Sequence, residues 1–292
     1  MIDLHIHTDA SDGQYTPRRI FEMAKEQGIS WLAFADHNSV ANVKAGGELS
    51  RIFGIGFIPA VEVNTNLAGK DIHVLAYHLR HDSDRLSRWL GEIRDAKMEQ
   101  ARLRVAKLAD LGLRVEMDRM LAQTGGLPPT GGMFLPFLLE EPANDGHPLL
   151  DPYRPGVSRE TEGPIGFYLD YFKEGKPAYV GIGGVGTFEA IDRIREFAGT
   201  PILAHPRDMP EKTIVDIIVN GIAGLEAYSS YHDQKQQERH LELAKRFDLV
   251  VTAGSDFHGP RYKPHVQLGV PDADPDIIDR LEEVRIISED LD

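Results

Sequence analysis

The sequence predicts an α/β protein built as a parallel barrel with a loop-rich insertion, on three observations. Short apolar runs alternate with amphipathic helical stretches along most of the 292 residues. Polar, chemistry-bearing residues fall just past the ends of successive apolar runs, where a parallel barrel gathers its active site. Between about 113 and 172 that rhythm stops, and the part from 125 to 166 is rich in Gly and Pro. Residues 1–112 and 173–292 are therefore expected to form the main domain, with 113–172 as a mainly helical, loop-rich cap over its mouth.

The chain opens with Ile2, Leu4 and Ile6 alternating with Asp3, His5 and His7, the period of a half-buried strand. His5 and His7 then point the same way, with Asp12 in the turn just beyond. Thr16-Pro17 ahead of Ile20, Phe21 and Ala24, with Gly28 as the stop, predicts a capped amphipathic helix. Trp31 to Ala35 reads as a buried strand ending in Asp36-His37-Asn38-Ser39. A helix through Val43 and Leu49 leads to one strand over 56–63, where Glu62 interrupts an apolar run. Burying a lone carboxylate is costly, so Glu62 is paired, protonated or coordinated. His73 lies inside the next strand, 71–77.

From Asp84 to about Leu111 the spacing predicts one long helix or two. After the insertion, strands are expected at 178–182, 201–204, 224–228 and 249–253. Three of them run directly into His205-Pro206-Arg207, Ser229-Ser230-Tyr231-His232 and Gly254-Ser255-Asp256-Phe257-His258.

A net charge of −14 argues against stable binding along duplex nucleic acid, which relies on many Lys and Arg. With no cysteine, any metal must be held by His, Asp and Glu. No run of eighteen apolar residues occurs, and no basic stretch leads into an apolar one near residue 1, so no membrane partner and a cytoplasmic protein are expected.

His5, His7, Asp12, His37, Glu62, His73, His205, Asp256 and His258 all fall at or near strand ends. Singly each has a plainer reading, a hydrogen-bonded core histidine for His73 or a helix cap for Asp256. Nine together are too many for one tetrahedral ion, and they suit Zn²⁺, Mn²⁺ or Fe²⁺. Two to three clustered divalent metal ions are implied.

The segments DLHIHTDASDG, ADHNS, VEV around Glu62, DIHVLAY around His73, AHP at His205 and GSDFHG at Asp256 and His258 resemble the PHP family, named for polymerase and histidinol phosphatase domains. A long insertion after His73 is similar to the branch of nucleoside-phosphate phosphatases and RNA 5′ trimming enzymes. The resemblance implies a distorted (β/α)7 barrel with a trinuclear centre. Its first ion would take His5, His7, Glu62 and Asp256, its second Asp12, His37 and His258, and its third Glu62, His73 and His205. It further implies hydrolysis of a small phosphomonoester, such as a nucleotide or nucleoside bisphosphate, by metal-bound hydroxide. The alternatives are 5′-3′ exonuclease action on short RNA or oligonucleotides, an amide or ester hydrolase, and a non-catalytic metal-stabilised module.

For catalysis, Asp36 is expected to support the neighbouring ligands and His232 to protonate the leaving group. For substrate binding, Lys176 and Arg207 are expected at the phosphate. Arg154 or Arg159 would stand in for a basic pair that related proteins carry in the insertion, where this chain reads Thr130-Gly131-Gly132-Met133.

Overall fold

In a computed structural model, which describes residues 1–157, 163–181, 183–270, 273–274 and 276–285, the chain begins with β1 (Ile2–Ile6), α1 (Pro17–Gln27), β2 (Trp31–Phe34), α2 (Val43–Phe53) and β3 (Gly56–Phe57). Helix α1 starts as its sequence predicts, with the Thr16 side chain accepting from the Arg19 amide. It stops at Gly28, whose φ of 71° suits glycine. Strands β1, β2 and β3 form one parallel sheet.

A second sheet holds β4 (Ala60–Leu67), β5 (Lys70–Tyr77), β6 (Thr200–Leu203), β7 (Gly224–Ser229) and β8 (Val250–Gly254), in that order. Its first two pairings are antiparallel, β4 with β5 and β5 with β6, and the rest are parallel. The expected continuous parallel barrel is therefore not what forms. A two-residue turn at Ala68-Gly69, φ 51° and 85°, joins β4 to β5, and so short a link permits only antiparallel neighbours. The two sheets meet at single bridges, His37 to Glu62 on one side and Ile6 to Phe257 on the other. Both seams fall at residues that carry or adjoin the predicted ligands.

Two other expectations are corrected. The strand expected over 56–63 breaks at Ile58-Pro59 into β3 and β4, because proline lacks the donor a central strand needs. Residues 178–181 form no strand, and Ile182 lies outside the described residues. Strand β1 is buried on both faces rather than one. Its polar face is covered because Asp3 accepts from Ser255 and Gly269 while His5 and His7 enter the centre.

The segment from Asp84 to Asp110 is a single helix, α3. Beyond it come α4 (Met117–Gln123), α5 (Phe134–Glu140) and α6 (Gly163–Tyr171), with short 3-10 turns between them. Leu113, Met120, Phe134, Phe137, Phe167 and Phe172 share a hydrophobic cluster of their own, which Leu108 of α3 and Tyr262 also join. Helices α7 (Thr187–Glu196), α8 (Glu211–Val219), α9 (Gln234–Phe247) and α10 (Ile277–Glu283) complete the order. Leu90, Ile93, Ile191, Ile194, Ile214 and Leu243 pack helices against one face of the larger sheet. No helix among the described residues is long and apolar enough to cross a membrane.

Candidate metal centre

All nine predicted ligands converge. Glu62, fully buried on β4, lies between them. Its Oε2 lies 3.3 Å from His5 Nε2, 3.2 Å from His7 Nε2 and 3.0 Å from His37 Nδ1. Its Oε1 lies 2.9 Å from His73 Nδ1 and 3.1 Å from His205 Nε2. Around it, Asp256 Oδ1 is 3.1 Å from His7 Nε2, and Asp12 Oδ1 is 3.2 Å from His258 Nε2.

Among the described residues, three groupings present ligand atoms close enough to share an ion: His5, His7, Glu62 and Asp256; His7, Asp12, His37 and His258; and His37, Glu62 and His73. The first is the expected set. The second adds His7, and the third contains His37 where His205 was expected, with His205 beside it on Glu62.

The donor chemistry fits divalent cations. Asp12 Oδ1, His37 Nδ1, Glu62 Oε2, His73 Nδ1, Asp256 Oδ1 and His258 Nε2 are buried and lack hydrogen-bond partners. Such groups are normally satisfied, and divalent cations held among them would satisfy all six. Burial pushes His37 down to about 3 and also lowers His205 and His258, which leaves them as neutral donors. Burial acts the same way on His5 and His73, but carboxylates outweigh it. Glu226, Glu62 and Asp256 carry His5 to about 10, and Glu62 and Asp71 carry His73 to about 9. Burial opposes ionisation of Asp12, Glu62 and Asp256, yet the imidazoles around them, with Lys263 beside Asp256, hold all three well below the usual carboxylate range. These protons on His5 and His73 occupy the places that a divalent cation would take.

Strained backbone delivers two of these groups, His205 and Asp256, and two of their neighbours. Asn38, His205, Arg207 and Asp256 all have positive φ, at 51°, 23°, 45° and 57°, and such non-glycine strain clusters at functional sites.

The supporting residues differ from expectation. Asp36 touches no histidine ring. It accepts from the Thr8 amide at 2.7 Å, from Thr8 Oγ1 at 2.6 Å and from Ser11 Oγ at 2.6 Å. Ser11 Oγ in turn lies 3.3 Å from His7 Nδ1, so Asp36 acts on His7 through Ser11. His232 is not placed to protonate a leaving group. Its Nδ1 lies 2.8 Å from the Ala227 carbonyl and its Nε2 accepts from the Arg207 amide at 3.1 Å, so both nitrogens are committed to backbone. Burial lowers its pKa as well.

Above the centre opens a cleft of about 700 Å³, floored by Asp12, His37, His73, His205, Asp256 and His258. Arg207 lines it, as expected, with its guanidinium carbon 3.6 Å from the Tyr231 ring centre. Lys176 is exposed and does not line it, whereas Lys173, also exposed, lies at its edge. Arg154 is held away by Asp151 and the Asn144 carbonyl. Arg159 lies outside the described residues.

Several residues were missed. Glu226 binds His5, and Lys263 and Tyr231 bind Asp256. Arg104 is 5 % exposed on α3, faces the cleft and lies over the Phe172 ring. Gln100, Arg104 and Leu108 are buried at a spacing of four, so a cation on the inward stripe of α3 was the available signal.

An α/β scaffold with buried His, Asp and Glu at its strand ends, beneath a cationic cleft, defines a metal-dependent hydrolase of anionic substrates. Residues 3–110 match the PHP domain family, and the chain is a metal-dependent phosphoesterase. It is similar to phosphoribosyl 1,2-cyclic phosphate 1,2-diphosphodiesterase of Eggerthella lenta, 28 % identical over 273 residues, 92 % of this chain and 98 % of that protein. It is also similar to a 5'-3' exoribonuclease of Haemophilus influenzae, 27 % identical over 266 residues, 88 % of this chain and 90 % of that protein. A solved structure from Bifidobacterium adolescentis, assigned as a metal-dependent phosphoesterase, shares the fold with a TM-score of 0.78 at 24 % identity, covering 96 % of this chain and 94 % of that one.

Proposed function

We propose that this chain hydrolyses a small phosphomonoester bearing a second negative group, such as a nucleotide or nucleoside bisphosphate, at two to three Mn, Zn or Fe ions held by the nine ligands. The observation that carries it is the pairing of six orphaned buried ligand atoms with a cleft wall of Arg104, Lys173 and Arg207. Bound divalent ions there would supply Lewis acidity and an activated water for in-line attack on phosphorus.

The chain's own groups do the rest. Glu226 fixes the ring of His5, Ser11 that of His7, and Glu62 presents one oxygen to each side of the centre. Arg207, braced on Tyr231, and Lys263 offer fixed positive charge to phosphate oxygens and to the leaving group. Neither needs to titrate to do so. The cap, residues 113–172 with their own core, covers the cleft and limits which ester fits. This reading takes the protein as cytoplasmic.

The buried Arg104, whose Nε lacks a partner, supports a second anionic group. The relative from Eggerthella lenta acts on a compound whose name carries two phosphate groups. A 5′-3′ exonuclease on short oligonucleotides is the second reading, favoured by Tyr168 and Tyr179 in the cleft as faces for a base and by the exoribonuclease relative. A phosphate-release screen of mono- and bisphosphorylated nucleotides beside 5′-phosphorylated dinucleotides tests both. Bisphosphates should turn over fastest, and Arg104→Met should erase their advantage over monophosphates. Equal rates for both classes in the wild type would sink the second-anion reading, and nucleoside monophosphates released from dinucleotides would favour the exonuclease.

A further inference from the structure

Asp12 and Asp256 each present one oxygen to the centre while the other is tied off. Asp12 Oδ1 lies 3.2 Å from both His7 Nδ1 and His258 Nε2, whereas its Oδ2, 3.9 Å from His37 Nε2, accepts from Thr130 Oγ1 at 2.6 Å. Asp256 Oδ2 is taken by Tyr231 and Lys263, which belong to the main domain. Thr130 belongs to the insertion.

The loop that carries Thr130 is firmly seated. A Cβ at Gly131 would come within 2.3 Å of the Tyr168 ring, so that glycine lets the loop lie flat on α6. Met133 and Phe134 follow directly and are buried in the cap's own core. Thr130 is thus the end of a braced element, and its hydroxyl bonds to a predicted ligand.

A second connection leads from the cap to the same part of the centre. The segment just after His258 is gripped by the cap, with Arg261 on Glu140 Oε1 at 2.7 Å and the Tyr262 hydroxyl accepting from Gln123 Nε2 at 2.9 Å. Asp12 and His258 belong to one of the three ligand groupings. The cap thus bonds to Asp12 directly and to the chain three and four residues past His258.

We propose that Thr130 is a positioning residue that holds Asp12 to a single ligating oxygen and so couples cap docking to metal retention at the Asp12, His37 and His258 position. It rests on the metal reading proposed above. Hydrogen bonds behind a ligand typically set affinity by about ten- to a hundredfold. Because linkage is reciprocal, a metal held there must also hold the cap down.

The test uses the full chain freed of metal by chelation and titrated with Mn²⁺, with free ion followed by electron paramagnetic resonance. Thr130→Val should weaken one class of Mn²⁺ sites on the order of tenfold and leave the others unchanged, and Thr130→Ser should restore it. Mn²⁺ should protect the cap of the wild type from limited proteolysis and protect that of Thr130→Val less. Wild-type Mn²⁺ affinities in Thr130→Val, or Thr130→Ser as weak as Thr130→Val, would overturn the coupling. A wild type that binds none of Mn²⁺, Zn²⁺ or Fe²⁺ would instead overturn the metal reading beneath it.

Discussion

His5 and Glu226 form a fully buried pair, with Nδ1 of the imidazole 3.0 Å from Glu226 Oε1. The other glutamate oxygen accepts the His205 amide at 2.9 Å. One side chain therefore sets the ring of a predicted ligand and the strained backbone of another. Opposing nitrogens are committed in this way when a histidine must offer a lone pair to a metal. Glu226→Gln keeps the shape but exchanges one acceptor for a donor. Metal affinity should fall about ten- to a hundredfold with the fold retained, as read by Mn²⁺ titration beside circular dichroism. Unchanged affinity would remove Glu226 from the support of the centre.

Gly254 makes that pair possible. A Cβ there would lie 2.2 Å from His5 Cβ and 2.5 Å from Glu226 Oε1, closer than packed atoms approach. Neither neighbour can withdraw, because both are completely buried. Gly254→Ala should therefore destabilise the metal-free chain by about 1–3 kcal/mol and impair metal loading together. A urea unfolding midpoint unchanged by the substitution would show that β1 and β8 can part without cost.

His232 illustrates a role that position in the sequence suggested and geometry redirects. With both nitrogens on backbone, it fixes the turn that aims Arg207. His232→Asn should raise KM through Arg207 and slow substrates with good and poor leaving groups alike. Selective slowing of poor leaving groups would restore it as a proton donor.

How far the sequence could be read depends on whether a residue's surroundings are local. His5 and His7 were placed by strand alternation alone, and Glu62 by its charge inside an apolar run, which the structure shows buried. Glu226 carries the same signal within Gly224–Ser229 and was open to the same reasoning. Thr130 and Lys263 were not, since each sits in a loop whose path is decided by contacts far along the chain. The antiparallel β5 was missed for a related reason. Its apolar residues look alike in either direction, and only the tight Ala68-Gly69 turn reveals the reversal.

His240 gives a pH signature distinct from the centre. It is fully buried on α9 with its ring 4.6 Å from that of His232, and burial pushes its pKa from 6.5 down to about 4. The unfolded chain binds this proton more readily. The neutral ring's contribution is therefore fully present above pH 6.5 and is lost as pH falls toward 4, at up to about 1.4 kcal/mol per pH unit. His240→Leu should flatten that limb of the stability profile relative to the wild type. Parallel urea midpoints for the two proteins between pH 7 and 4.5 would show that His240 does not contribute.

Lys263 sets two effects against each other. Its ammonium binds Asp256 Oδ2 beside the Tyr231 hydroxyl, and Asp256 holds the lysine pKa above its ordinary value despite burial, so the charge is permanent. Removing it frees Asp256 to turn, which by the usual cost of lost support weakens metal binding by about 1.4–2.8 kcal/mol. It also removes a positive charge from beside a cation site, and two unit charges 4 Å apart repel by about 4 kcal/mol at an effective dielectric of 20. Tyr231 still holds Asp256, so the orientation loss falls at the lower end and the charge term dominates. Lys263→Met should therefore bind Mn²⁺ more tightly than the wild type while turning over phosphate esters more slowly, because the fixed charge facing the cleft is gone. Tyr231→Phe, which loses a donor without a charge, should bind Mn²⁺ more weakly. If Lys263→Met also binds more weakly, the lysine's hold on Asp256 outweighs its repulsion and the dielectric around the centre is higher than 20.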